Sequence, residues 1–188
     1  GRDPELPGLL AGYFANPMNE SAASMVPLLT AADYLRDSEG YDPDESMRAA
    51  IERVAGGRAG RAALADFCDA WPAGFFPGEP KTNLQRAVAD ARAGDAARLV
   101  ETLKRLEKLP DEMKAAPELK RIAADAAPFL KGLSLYARAA ALALDVRNNP
   151  GDAALRRRFK SEFIKAERTR MQPGGGVLMR KFINDIAV

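Results

Sequence analysis

Histidine is absent from all 188 residues, which removes the usual zinc triads and every Ser-His or Cys-His catalytic pairing. Cysteine occurs once, at Cys68, so no internal disulfide can form. Flanked by Phe67 and Asp69 on an amphipathic pattern, Cys68 reads as a small buried hydrophobe and not as a nucleophile. Without His or further Cys, no metal and no cofactor is expected. Long apolar runs are missing as well: none approaches the roughly 20 residues a membrane-spanning helix needs, and no signal peptide is visible, so no membrane partner is expected. Neither sign of charge dominates. A net charge of +2 argues against a nucleic-acid binder, and no repeat of 20 to 50 residues is present.

What remains suits a helical domain with a proper core: 47% of residues are hydrophobic and 29% charged. The chain opens at Gly1-Arg2-Asp3-Pro4 without a methionine, which suggests a cut or processed chain. From Asp42 onwards the helix signals are regular. Asp42-Pro43-Asp44-Glu45 has an N-cap aspartate, a proline at the first helical position and a capping-box glutamate, and Gly56-Gly57 ends that helix. A second helix spans 59–71 with Ala63, Leu64, Phe67 and Trp71 inward, and a Pro/Gly-rich loop, 72–81, holds Phe75 and Phe76. Thr82 to Gln85 repeats the capping box for a helix to Ala93, and Asp95 caps another to residue 108, which Pro110 ends.

A long helix is expected over 118–147, kinked at Pro128, followed by a turn at Asn148-Asn149-Pro150-Gly151 and a helix from Asp152 to Met171. Arg156, Arg157, Arg158, Lys160, Lys165, Arg168 and Arg170 invite a phosphate-binding reading of that last helix. The acids Glu162 and Glu167 and the apolar set Leu155, Phe159, Phe163 and Ala166 favour an amphipathic helix with a solvated outer face. Gln172 to Gly176 reads as a flexible hinge, with an apolar tail after it that packs back as a helix.

The front of the chain behaves differently. Leu9, Leu10, Tyr13 and Phe14 form a short, partly aromatic run of the kind found in a buried strand, and Pro17 has no N–H with which to continue a ladder. A strand ending at Asn16 would present its amide at the strand's C-terminal edge. Residues 20–36 read as a helix interrupted at Pro27, started by Asn19 or Glu20 as cap.

Ala15-Asn16-Pro17-Met18-Asn19-Glu20, then Ala22-Ala23-Ser24, Pro27-Leu28, Ala31-Ala32-Asp33-Tyr34-Leu35, Tyr41-Asp42-Pro43 and Ser46, resembles the last barrel strand, last barrel helix and exit segment of glycoside hydrolase family 84. This family comprises the O-GlcNAcases and related bacterial β-N-acetylglucosaminidases, some named hyaluronidases. The resemblance is close over residues 8–55 and extends beyond them only in helix content and position. It implies a mainly α chain: the last β-strand and helix of an incomplete TIM-type barrel (1–40), an antiparallel bundle of about five helices (41–171), and a Gly-rich hinge with an apolar tail (172–188). It also implies a retaining, substrate-assisted reaction, in which the substrate's acetamido oxygen attacks the anomeric carbon while two adjacent aspartates orient that group and serve as general acid and base.

No adjacent Asp-Asp pair is present. The nearest groupings, Asp42 with Asp44 and Asp66 with Asp69, read as a helix cap and a solvated helix face. No catalytic residue is therefore expected in this chain. Asn16 matches the family's sugar-binding asparagine, and a carboxamide suits that task because it both donates and accepts; the competing reading is that Asn-Pro simply makes a turn. The implied partners are an N-acetylglucosamine-containing substrate, a glycosylated protein or peptide among the candidates, and an N-terminal catalytic barrel of the same protein. Without that barrel, Leu9, Tyr13, Phe14, Met25, Leu28 and Leu29 should expose apolar surface. The alternative class is a non-enzymatic helical interaction module made of residues 41–188.

Overall fold

The computed structural model describes residues 3–71, 79–169 and 174–186. Its helices are α1 (Leu6–Leu9), α2 (Met25–Arg36), α3 (Pro43–Ala55), α4 (Arg58–Ala70), α5 (Asn83–Arg92), α6 (Ala97–Ala115), α7 (Lys120–Asp125), α8 (Ala127–Asn148), α9 (Ala153–Glu167) and α10 (Gly174–Ile186), with a 3-10 turn at Pro117–Leu119. The mainly α reading holds, and the described residues contain no strand. They also contain no helix long and apolar enough to cross a membrane. The chain divides into two compact units, one of Gly1–Leu64 with Met113–Ala126 and one of Ala65–Glu112 with Ala127–Val188.

In the first unit, α2 packs on α3, and α3 packs on the 3-10 turn. Val26, Ala31 and Tyr34 of α2 and Ala50, Ile51 and Ala55 of α3 are buried. The Asp42 carboxylate accepts the N–H groups of Asp44 and Glu45, both at 2.8 Å, and so satisfies two of the donors a helix start leaves orphaned. Gly56 ends α3 at φ +61°, a conformation that favours glycine. Tyr34 stands edge-on to Tyr41 with ring centroids 5.5 Å apart, and its hydroxyl donates to the Asp3 carbonyl at 2.5 Å. Ser38 does the same to the Pro4 carbonyl at 2.7 Å, which ties the start of the chain to the end of α2.

In the second unit, α8 packs against α9 and α10, and α10 also reaches α5. The turn at 149–152 makes α8 and α9 antiparallel neighbours, with Asp152 capping α9 through the N–H groups of Ala154 and Leu155. Gly132, Ser134, Ala137, Ala139, Ala140 and Ala143 of α8 are all buried, and such small side chains let neighbouring helices approach closely. The Thr82–Gln85 capping box at α5 is complete in both directions. Tyr136, fully buried, donates to Glu167 at 2.6 Å, and Glu167 pairs with Arg180 at 2.7 Å. Glu162 accepts from Lys165 at 2.5 Å and lies 3.5 Å from Arg138, and the hydrogen bond from Lys165 is the largest of the effects that hold its carboxyl below the usual range.

Several expectations need correction. Residues 11–18 form no strand, because a ladder needs a partner and the described residues offer none. The helix expected over 20–36 starts at Met25, so Pro27 falls in its first turn, where an N–H has no intrahelical acceptor to lose; neither a kink nor a cap by Asn19 or Glu20 results. Pro110 does not end α6 but sits inside it. The cost of an interior proline, about 3 kcal/mol, is offset by burial of Leu106, Leu109 and Met113 along the same helix, each contributing about 1.5–3 kcal/mol. The single helix expected over 118–147 is instead a 3-10 turn, α7 and α8, and Pro128 lies in the first turn of α8.

The glycine hinge is also revised. Gly174, Gly175 and Gly176 are buried in the first turn of α10, and a Cβ at Gly175 would meet the Ala70 carbonyl oxygen at 2.9 Å and Leu84 Cδ2 at 3.0 Å. The glycines there serve close approach, not flexibility. The apolar tail does pack back as a helix. The helix expected from Asp152 to Met171 ends earlier, at Glu167, with Arg168 as its C-cap; the expected loop around Phe75 and Phe76, and Arg170 and Met171, lie outside the described residues.

Candidate functional site

The segment between α1 and α2 carries Asn16. Leu10 leaves α1 in extended geometry (φ −100°, ψ 136°), and residues 12–18 have no regular hydrogen-bonded structure. Asn16 is exposed. Its segment and the start of α2 carry large apolar side chains that no described element covers: Phe14 is 100% exposed and Leu9 77%, and Leu10, Tyr13, Met25 and Leu28 are exposed as well, whereas Leu29 is only partly so. Monomer surfaces seldom leave so many large apolar side chains contiguous in sequence without something to cover them.

Behind Asn16 the chain is fixed by a turn, residues 18–24. Ser24, 1% exposed, accepts the Met18 N–H at 3.0 Å and is within 3.2 Å of the Glu20 carbonyl, to which its hydroxyl donates. The Ser24 N–H also donates to the Glu20 carbonyl, at 3.1 Å. Asp125, at the end of α7, accepts the Ala22 N–H at 3.0 Å, a contact between residues 103 positions apart. Beside this turn opens a depression of about 590 Å³, walled by Ser21, Ala22, Met25, Val54, Arg121 and Ile122 among others; Asn16 is not one of its walls.

Three of the four carboxylates weighed in the sequence, Asp42, Asp66 and Asp69, have structural work. Asp42 caps α3. Asp69, expected on a solvated face, instead accepts the N–H groups of Asn83 (2.7 Å) and Leu84 (2.9 Å) at the start of α5. Asp66 pairs with Arg105 at 3.0 Å; burial pushes its carboxyl up, against the opposing pull of that guanidinium. Burial likewise pushes the Cys68 thiol up to about 12, which is the opposite of what a nucleophile needs. No group of three or more His, Cys, Asp or Glu side chains that could hold a metal occurs among the described residues. Ser24 and Asp125 were not singled out in the sequence. Ser24 falls within the motif that carries the resemblance, but nothing in a linear reading connects Asp125 to it.

Comparison with known proteins bears on the front of the chain and on the whole fold separately. The sequence model of the beta-N-acetylglucosaminidase family matches residues 1–69. No curated protein sequence matches. Among solved structures, a point mutant of the Thermobaculum terrenum O-GlcNAc hydrolase superposes with a TM-score of 0.64 at 21% identity, over 99% of this chain and 43% of that one. The chain thus spans less than half the length of that protein and shares its fold over that span. Both findings agree with the resemblance read at Asn16 and along α2 and α3.

Proposed function

We propose, from a front segment that carries the beta-N-acetylglucosaminidase pattern and a fold shared with part of an O-GlcNAc hydrolase, that this chain is the C-terminal portion of a retaining, substrate-assisted β-N-acetylglucosaminidase. The intact protein removes N-acetylglucosamine from glycoconjugates or O-GlcNAc-modified proteins. This chain supplies one sugar-binding side chain, Asn16, and a helical domain beside the cleft. The acid/base carboxylates come from a catalytic barrel elsewhere in the protein, since no adjacent Asp-Asp pair is present and at least one member of each candidate grouping is held by capping or ion pairing.

The observation that carries this reading is the coincidence of the family match over residues 1–69 with the uncovered edge at Leu9, Tyr13 and Phe14. That edge is where a neighbouring barrel strand and its helices would seat, and Asn16 stands at its end. An amide there can donate to one sugar hydroxyl and accept from another. Losing such neutral hydrogen bonds costs about 1–2 kcal/mol, so Asn16→Ala in the intact protein should lower kcat/KM on a chromogenic N-acetylglucosaminide roughly tenfold. The 188-residue chain alone should show no turnover. Turnover by that chain, or wild-type kinetics for Asn16→Ala, would overturn the respective assignment.

A further inference from the structure

We infer that Asp125 and Ser24 are positioning residues for Asn16, so that the late helix α7 reaches back to set the geometry of the sugar-binding loop; this rests on the sugar-binding reading of Asn16. Asn16 is separated from the turn at 18–24 by Pro17 alone. Proline fixes its own φ near −65° and restricts the residue before it, so the Asn16–Pro17–Met18 link is stiff and a shift at Met18 carries to Asn16.

Met18 is held by Ser24, whose buried hydroxyl accepts its N–H. The turn that contains Ser24 is held in its middle by Asp125, through the Ala22 N–H. That bond, at 3.0 Å, links residues 103 positions apart in the sequence. Upstream, Tyr34 and Ser38 hold the carbonyls of Asp3 and Pro4. On the downstream side, the position of Asn16 therefore depends on a carboxylate from a helix that begins at Lys120. Misplacing a substrate-positioning group by an ångström costs up to about a hundredfold in rate.

The test is a double-mutant cycle in the intact protein, read as kcat/KM on a chromogenic N-acetylglucosaminide. Asp125→Ala alone should lower kcat/KM roughly tenfold. Asp125→Asn, whose side-chain carbonyl can still accept the Ala22 N–H, should restore most of the loss. In an Asn16→Ala background, Asp125→Ala should cost less than about twofold more, because the residue it acts through is gone. A full additive loss in that background means that Asp125 acts on stability alone and overturns the inference, as does wild-type kinetics for Asp125→Ala beside an impaired Asn16→Ala. If Asn16→Ala itself is silent, the sugar-binding reading has failed and this inference falls with it, a pattern distinct from the other two.

Discussion

Replacing Gly175 by alanine sets two effects of opposite sign against each other at one position. Gly175 lies within α10, where a change from glycine to alanine ordinarily gains about 1 kcal/mol of helix propensity. The added Cβ, however, would stand 2.9 Å from the Ala70 carbonyl oxygen, 3.0 Å from Leu84 Cδ2 and 3.1 Å from Leu133 Cδ1. The leucine methyls can yield by small rotations, but a backbone carbonyl at a helix end cannot turn aside without moving its peptide. Overpacking of this kind costs about 1–3 kcal/mol, and the immobile oxygen places it near the top of that range. The net expectation is a destabilisation of about 2 kcal/mol, or a fall in Tm of roughly 4–8 °C for a chain of this size. Thermal and urea unfolding followed by far-ultraviolet circular dichroism measures it. Gly12→Ala is the control: it lies outside any helix and nothing lies within 4 Å of its added Cβ, so its stability should stay within about 0.5 kcal/mol of the parent. A Gly175→Ala protein as stable as the parent, or more so, would refute the close-approach account and restore the hinge.

Two further expectations concern the Tyr136 hydroxyl and the Cys68 thiol. Tyr136→Phe removes the hydroxyl that donates to Glu167 but leaves Glu167 paired with Arg180, so no carboxylate is stranded; the cost in urea unfolding should be about 1 kcal/mol, and an unchanged midpoint would show that the bond contributes nothing. Cys68 is half-buried; with its thiol pushed up to about 12 against an ordinary value of 9.0, the native residue should react with iodoacetamide at pH 8 roughly a thousandfold more slowly than a free thiol, speed up as pH rises towards 12, and react at the free rate in urea; rapid labelling of the native protein would contradict the raised value.

Three caps were legible in the sequence, because a cap joins residues two or three positions apart, whereas the cap expected of Asn19 or Glu20 was lost with the later start of α2. Asp42, the Thr82–Gln85 pair and Asp152 do what their spacing says. The prolines were harder. The same residue breaks a helix or starts one depending on where the first turn falls, and for Pro27 and Pro128 that turn falls later than the apolar periodicity suggests. Pro110 is tolerated because burial further along its helix outweighs the lost bond, a balance no local pattern reveals. The strand through Tyr13 and the hinge at Gly174 to Gly176 failed for one reason, since each depends on partners distant in sequence. A strand needs a neighbour to pair with, and the glycines answer to Ala70, Leu84 and Leu133. Of the candidate site, Asn16 was visible through its motif, whereas Asp125 becomes visible only when α7 is seen beside Ala22.

The first compact unit is not continuous along the chain: residues 113–126 return to it after an excursion that begins at residue 65. On a ribosome, that unit must therefore wait, part-built, while the excursion is synthesised, and Ala22 can gain its carboxylate partner only after Asp125 emerges. Any shortened version ending before residue 125 would lack that contact however cleanly the cut fell between helices. Dissecting this protein safely means keeping the returning stretch with the front end or leaving both in place.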